Sequence, residues 1–102
     1  MKKVLVIGGS GFIGSHTADE LTKNRYKVTI FDKNKSKFLK YNQKFICGNI
    51  SSRSDISKAL KGMDIVYHMG AIASIEDADK NPHKTIETNV LNTSIILDEI
   101  SK

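Results

Sequence analysis

Four short apolar runs punctuate an otherwise polar chain: Val4-Leu5-Val6-Ile7, Val28-Thr29-Ile30-Phe31, Phe45-Ile46-Cys47 and Ile65-Val66-Tyr67. They are continuous where a strand with one wet face would alternate, and they are rich in β-branched and aromatic residues. Such runs read as strands buried on both faces of a parallel sheet. Between the first two, residues 12–23 follow a helical period. Ile13, Thr17 and Leu21 recur at i, i+4 and i+8 with Ala18 alongside, which predicts one core-facing stripe. Asn24 suits a left-handed cap at the end of that helix. Residues 33–44 are polar and lysine-rich, too short for a helix with two loops, and read as a loop with at most one helical turn. Ser54 is placed to cap a short helix through Leu60, which Gly62 ends. Asn81 and Pro82 suit the cap and first position of a last helix running to about Ile100, with Ile86, Val90, Leu97 and Ile100 marking its apolar face. There is no internal repeat, linker or low-complexity tract.

The order β-α-β-β-α-β-α makes this an α/β chain, with a parallel sheet wound in the right-handed sense. Its 102 residues and 11.3 kDa leave room for one domain. No apolar run approaches the length of a membrane span, so no membrane partner is expected. The single cysteine, Cys47, excludes an internal disulfide and a cysteine-based zinc site, and suits a reducing, cytoplasmic setting. The net charge of +5 is unevenly placed: residues 1–62 hold 13 Lys and Arg against 4 Asp and Glu, residues 63–102 hold 3 against 7. A basic half invites an anionic partner. The lysines are scattered, however, and lack the aromatic interleaving of a nucleic-acid platform, so no nucleic acid is expected.

The most informative stretch is Gly8-Gly9-Ser10-Gly11-Phe12-Ile13-Gly14, which leaves the first strand and opens the first helix. Gly8 permits a tight turn, Gly11 lets the backbone approach a pyrophosphate, and Gly14 lets the helix pack close to the sheet. The freed amides and the positive end of the helix would face the phosphates. Asp32, 18 residues after Gly14, ends the second strand. A carboxylate there accepts hydrogen bonds from both ribose hydroxyls of an adenosine and repels a 2′-phosphate. NAD is therefore favoured, with NADP the lesser alternative because Lys33 and Lys35 lie close by. These features describe a partial Rossmann-like sheet of about four strands, order 3-2-1-4, with helices on both faces.

Gly8 to His16, Asp32, Gly48-Asn49-Ile50, His68-Met69-Gly70-Ala71 and Thr88-Asn89-Val90-Leu91-Asn92-Thr93 occur in that order. Together they resemble the N-terminal part of the extended short-chain dehydrogenases/reductases, and within them the NAD-dependent epimerase/dehydratase family. The resemblance covers Lys3 to about Glu99. It implies that Phe12 and Ile13 offer backbone contacts to the pyrophosphate and that Asp32 holds the adenosine ribose. Asn49 would meet the adenine amino group with Ile50 against the ring. Met69, Gly70 and Ala71 would line the cofactor, and Asn89 would point to its ribose or a bound water. It further implies a nucleotide-sugar substrate, transient hydride transfer through a keto-sugar, and a homodimer built on the helix that carries Asn89. The chain departs from the family pattern at Ile7 (usually Thr), Asn49 (usually Asp), Gly70 (usually Ala) and Asn92 (usually Gly, which puts close packing of that helix in question).

The family moves protons with a tyrosine and a lysine four residues later. Four residues after Tyr26, Tyr41 and Tyr67 stand Ile30, Phe45 and Ala71, so the pair is missing and no catalytic residue is assigned. Residues 1–102 thus read as the cofactor-binding front of a larger enzyme, the catalytic and substrate-binding part lying elsewhere. The alternatives are a non-catalytic NAD-binding module and an NADPH-dependent reductase of the same superfamily. His68 ends the fourth strand with no evident partner and reads as structural. The three histidines show no ligand spacing, so no metal site is expected. Glu76, Asp77 and Asp79 read as a solvated loop before a helix. Asn89 and Thr93 are polar beside an apolar stripe, where a cofactor would satisfy them. As a truncated sheet with a bare apolar edge, the chain is expected to be marginal or to associate.

Overall fold

The computed structural model describes residues 1–70 and 79–101. The valine- and isoleucine-rich run at the N-terminus forms β1 (Lys3–Ile7), the most buried strand. It is flanked by β2 (Lys27–Asp32) on one side and β4 (Ile65–His68) on the other, and β2 carries β3 (Lys44–Cys47) at its outer edge. The spatial order is β3-β2-β1-β4 and every pair is parallel. The predicted order and the four strands are all present. The two middle strands are buried on both faces, and the two outer ones are only half-buried because each has one neighbour.

Register sorts the side chains into two cores. Ile7 lies opposite Phe31 and His68, and Val6 opposite Ile30 and Tyr67. Leu5, Ile7 and Phe31 therefore share one face, which α2 (Arg53–Leu60) covers with Ile56 and Ala59 and the last helix with Ile96. Val4, Val6, Val28 and Ile30 share the other, which α1 (Phe12–Lys23) covers with Ala18. Each fully buried Leu, Ile or Phe here contributes about 1.5–3 kcal/mol relative to solvent exposure. The helices stand on both faces, as expected for buried parallel strands.

The helices correct the sequence reading in detail. In α1 the face toward the sheet is Gly14, Ser15 and Ala18, while Ile13 is 68% exposed. The reason is close approach: a Cβ on Gly14 would strike the Gly8 carbonyl oxygen, so only small residues fit there. Asn24 is not left-handed (φ −89°); the next residue, Arg25, takes that conformation at φ 68°. The cap of α2 is Ser52, whose Oγ accepts the Asp55 N–H at 3.2 Å, not Ser54. Gly62 does end that helix region with φ 76°.

Pro82 opens α3 (Pro82–Ile86), as expected, but the predicted single helix is broken. A π-helical turn, Glu87–Leu91, separates it from α4 (Asn92–Ile100). The buried residues of α4 are Asn92 and Ile96, whereas Ile86, Val90, Leu97 and Ile100 are all exposed. A turn with i→i+5 bonds inserts a residue and shifts the phase of the helix beyond it. Arg53 joins α2 to α4, its Nη1 donating to Asp98 Oδ2 at 2.6 Å and Glu99 Oε1 at 3.1 Å. Between β2 and β3 the loop is held by buried Gln43, whose amide donates to Asp19 Oδ1 and Thr22 Oγ1 on α1, both at 3.0 Å.

Candidate functional site

The C-terminal ends of the four parallel strands lie together, and the glycine loop crosses the end of β1. Gly8 adopts φ 80°, a left-handed conformation in which its N–H donates to the Phe31 carbonyl at 2.8 Å. A side chain there would be strained and would also strike the Gly70 backbone, 2.6 Å from the Cβ position. The loop thus depends on Gly8 and Gly14 for contact of backbone with backbone. Gly11 caps α1 with extended backbone and no side-chain hydrogen bond. The first-turn amides at Phe12 and Ile13 therefore belong to a helix start that no side chain caps. Ser10 Oγ is buried and has no partner among the described residues.

Asp32 sits at the end of β2, half-buried. Its Oδ2 accepts the Ser10 N–H at 3.1 Å and its Oδ1 the Asn34 N–H at 3.3 Å. The carboxylate is thereby aimed by the loop it belongs beside. After β3, Asn49 Oδ1 accepts the Ser51 N–H at 2.8 Å, and the Asn49 N–H donates to Asp55 Oδ2 at 2.9 Å. This tight turn presents Ile50, which packs on the core beside Gly70.

These pieces enclose a cavity of about 330 Å³. Its wall includes Gly8, Asp32, Asn49, Ile50, Met69 and Gly70, so six of the predicted site residues converge. Gly11, Phe12, Ile13 and Gly14 stand beside it at the start of α1 rather than in its wall. The side chains of Phe12 and Ile13 turn away from it, onto a shallow groove shared with His16, Leu21, Tyr26 and Tyr67. Ala71 lies outside the described residues, as do Glu76 and Asp77 of the acidic stretch. Asn89 is half-buried in the π-helical turn and is not in the wall. The wall also holds polar residues that the sequence reading did not assign to the site, among them Ser51, Lys84 of α3 and Asn92 of α4. Asn92 is 1% exposed and its Nδ2 donates to Ser51 Oγ at 3.0 Å. The signal for it is a polar residue four positions before Ile96, where the family usually has glycine. The structure packs the helix closely there all the same and uses the amide to hold the turn after β3.

His68 does have a partner, contrary to the sequence reading: its Nε2 lies 2.9 Å from Thr93 Oγ1. Burial pushes the imidazole pKa below its ordinary value, because the charged form is poorly solvated. Thr93 in turn donates to the Asn89 carbonyl at 3.0 Å, so its hydroxyl is satisfied within the chain. Among the described residues no three His, Cys, Asp or Glu side chains gather as a metal site would need, and no helix is long and apolar enough to cross a membrane.

The residues present fit a dinucleotide: a cradle that a Cβ would fill, an uncapped helix start, and an aimed carboxylate at the cavity edge. Comparison with known proteins points the same way. The model of the NAD dependent epimerase/dehydratase family matches residues 4–102. The chain is 36% identical to the UDP-N-acetyl-alpha-D-glucosaminuronate decarboxylase of Bacillus cytotoxicus, over 99% of this chain and 33% of that protein. It is 33% identical to the human sterol-4-alpha-carboxylate 3-dehydrogenase, decarboxylating, over 95% of this chain and 25% of that protein. The crystal structure of UDP-glucose 4-epimerase from Brucella ovis in complex with NAD superposes with a TM-score of 0.89 at 29% identity, covering 97% of this chain and 32% of that one. The chain thus spans about a third or less of the length of these relatives.

Proposed function

The chain belongs to the NAD-dependent epimerase/dehydratase family, and from that premise we propose that residues 1–102 are the NAD-binding N-terminal part of a nucleotide-sugar epimerase or dehydratase. The observation that carries the reading is the Asp32 carboxylate, held by Ser10 and Asn34 at the mouth of a cavity that the glycine loop borders. In this reading the amides at Phe12 and Ile13 meet the pyrophosphate, and Gly8, Gly11 and Gly14 keep the loop close enough for them to do so. Asp32 takes the adenosine ribose, Asn49 and Ile50 the adenine, and Met69 and Gly70 the far side of the cofactor. Ala71 and Asn89 complete the set by resemblance. NAD supplies a reversible hydride acceptor, the chemistry that an enzyme working through a transient keto-sugar needs. The chain's own contribution is to bind and orient. No Tyr-x-x-x-Lys pair occurs in these residues, so the proton-moving groups and the sugar-nucleotide site are assigned to a part of the protein beyond them.

A homodimer and a reducing, cytoplasmic setting complete the proposal, the first supported by the exposed apolar residues of the last helical segment and the second by the lone cysteine. A dehydrogenase or reductase acting on a non-sugar substrate is the second reading, favoured by the human sterol relative.

Calorimetric titration of the chain with NAD and NADP tests the reading. Saturable binding of NAD is expected, with NADP weaker by about tenfold or more because Asp32 opposes a 2′-phosphate. Asp32→Asn should narrow that preference while weakening NAD by about tenfold. Absence of NAD binding would overturn the proposal, and a preference for NADP would favour the second reading.

A further inference from the structure

His68 ends β4 on the face that Ile7 and Val66 share, and its ring meets the segment after the π-helical turn. Nε2 lies 2.9 Å from Thr93 Oγ1, and that hydroxyl lies 3.0 Å from the Asn89 carbonyl to which it donates. A threonine hydroxyl has a single proton. With that proton given to Asn89, the bond to His68 must be donated by the ring, so Nε2 carries the hydrogen. Nδ1 is buried and has no partner among the described residues. In the other tautomer Thr93 would turn its proton to Nε2, Asn89 would lose a donor, and an N–H would be stranded at Nδ1. A stranded buried donor costs more than an idle lone pair. Desolvation, which holds the pKa down, also keeps the ring neutral.

The relay ends on the π-helical turn. Asn89 belongs to Glu87–Leu91, Lys84 precedes that turn on α3, and Asn92 and Thr93 come directly after it. Lys84 and Asn92 both stand in the cavity wall, and Asn92 reaches Ser51. The turn departs from the regular i→i−4 ladder of the helices on either side, and the Thr93 hydroxyl reaches its Asn89 carbonyl. We propose that His68, as the neutral Nε2–H tautomer, is a positioning residue: through Thr93 it sets the π-helical turn and with it the Lys84 and Asn92 wall of the cavity. The proposal rests on the reading of that cavity as the NAD site.

The test uses the isotopically labelled chain and three variants. Long-range ¹H–¹⁵N spectra of the imidazole should show the Nε2–H tautomer. Thr93→Val keeps the side-chain shape and removes the hydroxyl; it should weaken NAD by about tenfold and speed amide exchange in residues 87–93. Thr93→Ser should restore both to within about twofold. His68→Gln, whose amide can donate where Nε2 does, should stay nearer the original affinity than Thr93→Val. An Nδ1–H tautomer, or a Thr93→Val chain with unchanged NAD affinity and unchanged exchange, would overturn the proposal. A parent chain that binds no NAD overturns the reading of the cavity instead, and the tautomer and the exchange rates then decide the role of His68 by themselves.

Discussion

Asp32 receives a backbone N–H on each oxygen, from Ser10 and from Asn34, so its orientation is fixed before any ligand arrives. His68 works differently, through burial. Its pKa lies below the ordinary 6.5 because the ring is desolvated. The unfolded chain therefore binds the histidine's proton at a higher pH than the folded chain does. Below about pH 6.5 the unfolded state holds more protons, so the stability is complete above that value and is lost as pH falls toward the folded pKa. Melting temperatures measured from about pH 7.5 down to about pH 5 should decline on the acid side, and His68→Gln should flatten that decline. An equal decline in both proteins would remove His68 as its cause. At this scale the placing of Gly8, Gly14 and Asp32 was legible because it comes from local spacing at the end of a strand. The partner of His68 was not, because Thr93 lies 25 residues away and only packing brings it near.

An element's existence was easier to read than the face it buries. All four strands and the start of the first helix fall where the apolar runs place them. Yet α1 packs through Gly14, Ser15 and Ala18, the close approach to the loop leaving no room for a side chain at Gly14, while Ile13 stands exposed. The cap of α2 illustrates the same limit. Two serines, Ser52 and Ser54, stand near the helix start, and only the geometry of the turn after Asn49 selects Ser52. Ser52→Ala should cost about 1 kcal/mol of stability and Ser54→Ala close to nothing, as read from urea melts of the two variants. Equal effects would contradict the observed cap. In the last segment, periodicity showed which apolar residues belong together. It did not show that Asn92 and Ile96 would take the sheet side and leave Ile86, Val90 and Leu97 outside.

The molecule as a whole carries the consequence of that exposure. Ile86, Val90 and Leu97 are 62%, 64% and 63% exposed, and an apolar surface of this kind favours association. Sedimentation velocity across a concentration series should show the chain moving from monomer toward dimer, and a Val90→Lys, Leu97→Lys variant should remain monomeric. A parent chain that stays monomeric throughout would remove the homodimer from the proposal. The strands and their parallel pairing were legible in the sequence alone, from the succession of buried runs, and the strand order with helices on both faces came with the likeness of the glycine loop and its carboxylate to a doubly wound nucleotide-binding sheet. Tertiary structure alone decided which helix faces turn inward, that a π-helical turn divides the last helix, and that Lys84, Asn92 and the His68–Thr93 contact shape the site. Those outcomes depend on distances between segments far apart in the chain, and periodicity within a segment carries no information about them.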